Sequence, residues 1–128
     1  VRGVRRVLVP VGGQGQHDIL RARLLSNLHR AAAPQITFLQ VLPAATPTAE
    51  QERISRNLRR YAREEVVKQP DVSVICADTP GDVIVAAAAE HDLIILGLQR
   101  QGKQRILGDI ARRVAAETET AMILINRG

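Results

Sequence analysis

The residues whose types and spacing suit chemistry fall in two short stretches. The first is Gly12-Gly13-Gln14-Gly15-Gln16-His17-Asp18, which follows the apolar run 7–11 and leads into a helical pattern. Its glycines leave the backbone free to bring N–H groups against a phosphate at a helix N-terminus. A tight β-to-α turn asks for the same residues. As a dinucleotide fingerprint the turn fails, because Asp18 stands where the third small residue of G-x-G-x-x-G belongs and no acidic residue closes the second apolar run. The plain turn is the simpler reading and the anion cradle the sharper one. The second stretch is Gly97-Leu98-Gln99-Arg100-Gln101-Gly102-Lys103-Gln104, with the G-x4-G-K spacing of a P-loop. Gln104 stands where Ser or Thr must hold Mg²⁺, and no acidic strand completes a metal site, so P-loop chemistry is not expected. Arg100, Lys103 and Arg105 still gather three positive charges, and a phosphate or partner contact competes evenly with a solvated basic loop.

No catalytic constellation accompanies them. His17, His29 and His91 carry no metal-ligand spacing, and Cys76 lies in an apolar run where a thiol behaves as a small hydrophobe. Ser26, Ser55 and Ser73 sit on no G-x-S-x-G elbow. A receiver-type phosphoacceptor is excluded as well, because the first strand ends in glycines and the third lacks an Asp at its end facing the cleft. The expectation is a non-enzyme without a metal site.

The elements that must position these loops alternate. Apolar runs at 7–11, 36–42, 72–77, 93–98 and 122–125 read as strands, β-branched and nearly continuous, as in a sheet covered on both faces. A helix is expected over 18–32, with Leu20, Leu24, Leu28 and Ala31 on one stripe. A second, over 49–68, sets Ile54, Leu58, Tyr61, Ala62 and Val66 against Arg53, Arg56, Arg60 and Arg63. The third starts with Thr79 as N-cap, Pro80 at the first helical position and Asp82 in the first turn. The fourth, over 106–118, carries Ile106, Ile110 and Val114 at steps of four. Strand and helix in strict alternation predict one domain over 1–128, an α/β layer doubly wound about a mostly parallel five-stranded sheet with helices on both faces. Ligands in such sheets bind beyond the carboxyl ends of the strands, where the strand order reverses. That places residues 12–17 and 97–105 at the candidate cleft.

Composition narrows the function classes. The 128 residues hold 18 Lys+Arg against 13 Asp+Glu, a formal charge of +5, with 45% hydrophobic and 2% aromatic residues. That is globular rather than disordered. The longest charge-free stretch, 31–49, contains three prolines and cannot span a bilayer as a helix. One Cys excludes an internal disulfide and suits a reducing compartment, so the cytoplasm is expected, free or at the cytosolic face of a membrane. The chain opens with Val, which fits a trimmed protein or a piece of a longer one. Phe38 and Tyr61 alone make no stacking platform, and no nucleic-acid partner is expected. The arginine face of the second helix, offset by Glu50, Glu52, Glu64 and Glu65, reads first as a solvated face and second as a docking surface.

The phrase Arg6-Val7-Leu8-Val9-Pro10-Val11, the stretch Asp92-Leu93-Ile94-Ile95-Leu96-Gly97, the later Gly108 and the final apolar strand together resemble a universal stress protein domain over essentially the whole chain. The resemblance implies strand order 3-2-1-4-5, a homodimer through the last strand and, in one branch, ATP binding. That branch has an Asp after the first strand and G-x2-G-x9-G-[ST] after the fourth. Here Gly12 stands at the Asp position, Gly97 matches the first glycine, Arg100 replaces the second, and Gly108 matches the third across a loop two residues shorter, with Asp109 following. An acidic side chain there repels a phosphate. The resemblance thus supports the fold and a regulatory or sensing domain but weakens ordinary ATP binding, and with the two loops read above it leaves Gly12, Gly13, Gly97, Arg100, Gly102, Lys103 and Gly108 as the candidate residues for ATP or another adenine nucleotide. The alternative it offers is a cytosolic regulatory domain appended to a membrane transporter or channel.

Overall fold

The computed structural model describes residues 4–11, 19–65, 69–98 and 106–126. In chain order these form β1 (Arg6–Val11), α1 (Ile19–Ala32), β2 (Gln35–Leu42), α2 (Thr48–Glu65), β3 (Asp71–Cys76), α3 (Pro80–Ala89), β4 (Leu93–Leu98), α4 (Ile106–Glu117) and β5 (Ala121–Asn126). The strands make one five-stranded sheet in the order β3-β2-β1-β4-β5, and every ladder is parallel. This is the doubly wound order that the resemblance implies.

Side chains alternate across each strand, and the sheet therefore carries two cores. Val7, Val9, Val11, Ile36, Phe38, Leu93 and Ile95 pack with Leu25 and Leu28 of α1 and Leu58, Tyr61 and Ala62 of α2. Leu8, Leu39, Ile94 and Leu96 pack with Ile84, Val85 and Ala88 of α3 and Ile110, Ala111 and Val114 of α4. A fully buried Leu, Val or Phe side chain is worth about 1.5–3 kcal/mol, whereas a surface ion pair is worth about 0–1. These two layers, not the charged surface, hold the fold.

The structure departs from the sequence reading where local pattern is outvoted by position. β3 and β5 are edge strands, so continuous burial stops with the three central ones: β3 has no fully buried residue, with Asp71 and Ile75 exposed and Val72, Ser73, Val74 and Cys76 half-buried, and Ala77 lies outside the strand. On α1, Leu25 takes the core position expected of Ala31, which is exposed. The helix ends at Ala32; Ala33 donates its N–H to the His29 carbonyl at 2.9 Å and then leaves the helix at a left-handed φ of 45°, with Pro34 barring continuation. Thr79 caps α3 with its carbonyl, which accepts from Asp82 and Val83 N–H at 3.1 and 3.3 Å, while its hydroxyl makes no capping bond.

Candidate functional site

Strand order reverses between β1 and β4: β2 and β3 lie to one side of β1, and β4 and β5 to the other. The two central strands are laddered at Val7–Leu93 and Leu8–Ile94, near their amino ends, whereas the β1–β2 ladder continues to Val11–Gln40. Beyond Leu8 and Ile94 no ladder pair joins the central strands, and Pro10, which has no N–H to donate, lies in that part of β1. The carboxyl ends of these two strands are where a doubly wound sheet takes a ligand.

Of the seven predicted site residues, the structure places two. Gly97 lies in the last part of β4, in register with Ile125 of β5, and Gly108 lies in the first turn of α4. Both sit at the carboxyl end of the sheet. Gly12, Gly13, Arg100, Gly102 and Lys103 lie outside the described residues.

Asp109 follows Gly108 in the first turn of α4, with a side chain 74% exposed and an oxygen 2.5 Å from Arg112 Nη2 one turn on. A carboxylate in a first turn already complements the positive end of the helix dipole. It meets the need that a bound phosphate would meet, and it opposes a second negative charge beside it.

The far side of the carboxyl end is closed by backbone. Asp78 accepts from Ala44 N–H at 3.1 Å, Ala77 N–H donates to Leu42 at 2.8 Å, and Thr46 turns back on the Pro43 carbonyl through both its hydroxyl and its N–H, at 2.7 and 3.0 Å. The sequence reading did not single out Asp78. Its signal was available: an acidic residue just past a strand and ahead of Thr-Pro.

Arg21, near the start of α1, is engaged elsewhere. Its Nε and Nη2 hold both oxygens of Glu65 at 2.6 and 2.8 Å, and its guanidinium carbon lies 5.5 Å from the Phe38 ring centre and 6.0 Å from that of Tyr61. Glu65, read from sequence as part of a solvated face, has a fully buried side chain. The Tyr61 hydroxyl in the same layer has no hydrogen-bond partner among the described residues, and burial pushes its phenol up to about 12.

Among the described residues no group of His, Cys, Asp and Glu is placed to hold a metal ion, and no helix is long and apolar enough to cross a membrane. His91 is tied to the last turn of α3, where Nδ1 donates to the Ala87 carbonyl at 2.6 Å.

No protein-family model and no curated protein sequence matches the chain. Solved structures do. A universal stress protein in complex with cAMP superposes with a TM-score of 0.70 at 16% identity, covering 96% of this chain and 97% of that one. The universal stress protein from Archaeoglobus fulgidus in complex with dAMP gives 0.68 at 19% identity, over 94% and 97%. UspA from Lactobacillus plantarum gives 0.60 at 18%, over 95% and 97%. With element order, strand order and near-complete coverage all in agreement, the chain has the universal stress protein fold.

Proposed function

We propose that the chain is a regulatory domain with no catalytic chemistry of its own, which senses an adenine nucleotide between the carboxyl ends of β1 and β4 and self-associates through β5. The observation that carries the reading is the reversal of strand order between β1 and β4, whose ladder stops at Leu8–Ile94, in a fold whose solved examples include complexes with cAMP and dAMP. Asp109 in the first turn of α4 favours a ligand of low charge, a nucleoside monophosphate over a triphosphate. Arg100 and Lys103 supply phosphate contacts by another route than the Ser or Thr in whose place Asp109 stands.

The outer edge of β5 supports self-association. β5 pairs with β4 alone, so its other side presents free backbone donors and acceptors, and Leu124 on it is 47% exposed. Such an edge is a template for a second copy about a two-fold axis.

The test begins with mass detection of small molecules released from the denatured protein. Calorimetric titration of AMP, cAMP and ATP then follows on the wild type and on Arg100→Ala and Lys103→Ala, with sedimentation of the wild type and Leu124→Glu. The expected result is monophosphate binding lost in both cleft variants and a dimer that Leu124→Glu splits. A blank for every nucleotide, with a monomer at high concentration, overturns the proposal.

A further inference from the structure

We infer a second ligand site, at the opposite end of the sheet: a cleft between α2 and the start of β3 that holds the phosphate of a small, hydroxyl-bearing phosphorylated molecule on Arg59 and Arg63. The cleft encloses about 280 Å³ and is lined by Arg59, Arg63, Gln69, Pro70, Asp71 and Val72. Asp71 is the first residue of β3, so in this parallel sheet the cleft opens at the amino ends, away from the crevice between β1 and β4.

The arginine face of α2 is not uniform. Arg53 pairs with Glu50, and Arg60 donates to Asn57 Oδ1 at 2.6 Å. On α4, Arg112 pairs with Asp109, and Arg113 with both Asp82 and Glu117. Arg59 and Arg63 make no ion pair or hydrogen bond among the described residues, although a carboxylate lines the same cleft. Asp71 is held instead by Gln35, whose Nε2 donates to Oδ2 at 2.9 Å, and it comes within ion-pair distance of neither guanidinium. Opposite charges that share a cleft without closing on each other leave room for a group between them.

The charge pattern selects the occupant. Arg59 and Arg63 are four residues apart on one helix, neighbours on its surface, and two guanidinium forks match the several oxygens of a phosphate better than the two of one carboxylate. The C-terminal end of α2 contributes a partial negative charge nearby, as Asp71 contributes a full one, and two full positive charges outweigh them. A bare anion brings no donor to Asp71, whose Oδ2 already accepts from Gln35, whereas a hydroxyl on the ligand donates to that carboxylate. Ligand pockets start at roughly 300 Å³, so the cleft suits a molecule of few atoms.

The test is a titration of the full chain, uniformly ¹⁵N-labelled, with inorganic phosphate, glycerol 3-phosphate and glycerol, read from amide and arginine Nε shifts. Glycerol 3-phosphate is expected to shift Arg59, Arg63, Gln69, Asp71 and Val72 saturably, more tightly than phosphate, with no response to glycerol. Arg59→Gln and Arg63→Gln should each weaken it about tenfold, the loss of one charge-assisted contact, and Asp71→Asn should remove the preference over phosphate. Both arginines are exposed, so the fold should survive, and unchanged amide shifts in the β1–β4 core verify it. Shifts that never saturate, that spread equally over Arg23, Arg30 and Arg56, or that persist in the Arg59→Gln, Arg63→Gln double variant overturn the proposal. Anion binding at the crevice would instead move Gly97 and Gly108, so the two proposals succeed or fail separately.

Discussion

Arg21 and Glu65 join the two helices of one layer through two hydrogen bonds in a place where neither side chain is well solvated, at 11% and 0% exposure. Removing one partner of such a pair strands a charge, which costs about 3–5 kcal/mol, whereas replacing both with apolar groups of similar volume is often neutral. Glu65→Ala is therefore expected to lose about that much in urea unfolding, and the double variant Arg21→Met, Glu65→Leu to recover to within about 1 kcal/mol of wild type. A loss below about 1 kcal/mol for Glu65→Ala would show the pair to be solvated. Sequence periodicity put Leu58, Tyr61 and Ala62 on the inner face of α2 correctly, but it left Glu64 and Glu65 together on the outer one. Which of two adjacent glutamates turns inward depends on where α1 lays Arg21, and no local pattern carries that. The same limit applies to Arg59 and Arg63. Arg63 was readable as part of a charged face and Arg59 was not named on it, and the separation of both from Asp71 across a cleft was not readable at all.

Helices and strands were far more legible than side-chain partnerships, because a parallel sheet writes both its faces into nearly unbroken apolar runs. All nine elements appear where those runs and the stripes between them put them. The misreadings are at edges and ends, where burial on one side falls away and the backbone can do a side chain's work. Thr79 is one case, capping α3 with its carbonyl alone. Thr120 is the reverse case, a hydroxyl joining elements far apart in sequence. Just before β5, its Oγ1 lies 2.5 Å from the Ala88 carbonyl and 3.2 Å from that of His91, fastening the start of the edge strand to the end of α3. Thr120→Val keeps the shape and removes the donor, and it is expected to lower unfolding free energy by about 1 kcal/mol in denaturant titration. An unchanged midpoint would mean that the strand start is held by the Ala121 N–H bond to the Asp92 carbonyl alone.

At the scale of the molecule, Asp92 closes the sheet. Its Oδ2 accepts from Arg5 and Arg6 N–H at 2.8 and 3.0 Å, its N–H donates to the Arg6 carbonyl at 2.9 Å, and its carbonyl accepts from Ala121 at 3.1 Å. The two backbone donors, first of all, hold its carboxyl below the ordinary value of 3.8. A carboxyl depressed in the folded state contributes stability that is present in full above the unfolded value and is lost as pH falls through the folded one. Wild type should therefore lose stability more steeply than Asp92→Asn as pH falls below about 4, measured as urea midpoints against pH. Parallel slopes would dismiss the role. The doubly wound sheet could be anticipated from strict alternation of strand and helix, and its order from the resemblance. Where the β1–β4 ladder stops could not, since pairing register is not written in an apolar run, although Pro10 marks one backbone position of β1 that cannot donate.

That same pairing imposes an order of assembly on a chain being made. Val7 waits for Leu93, and at synthesis rates of about 5–20 residues per second the interval is on the order of ten seconds. During it α1, β2, α2 and β3 can gather on one side of β1, while the layer they build still lacks Leu93, Ile95 and Ile125. The innermost strand of the finished sheet is thus an outer strand on the ribosome, with an apolar face and a row of free backbone groups open to other nascent chains until the second half of the domain emerges.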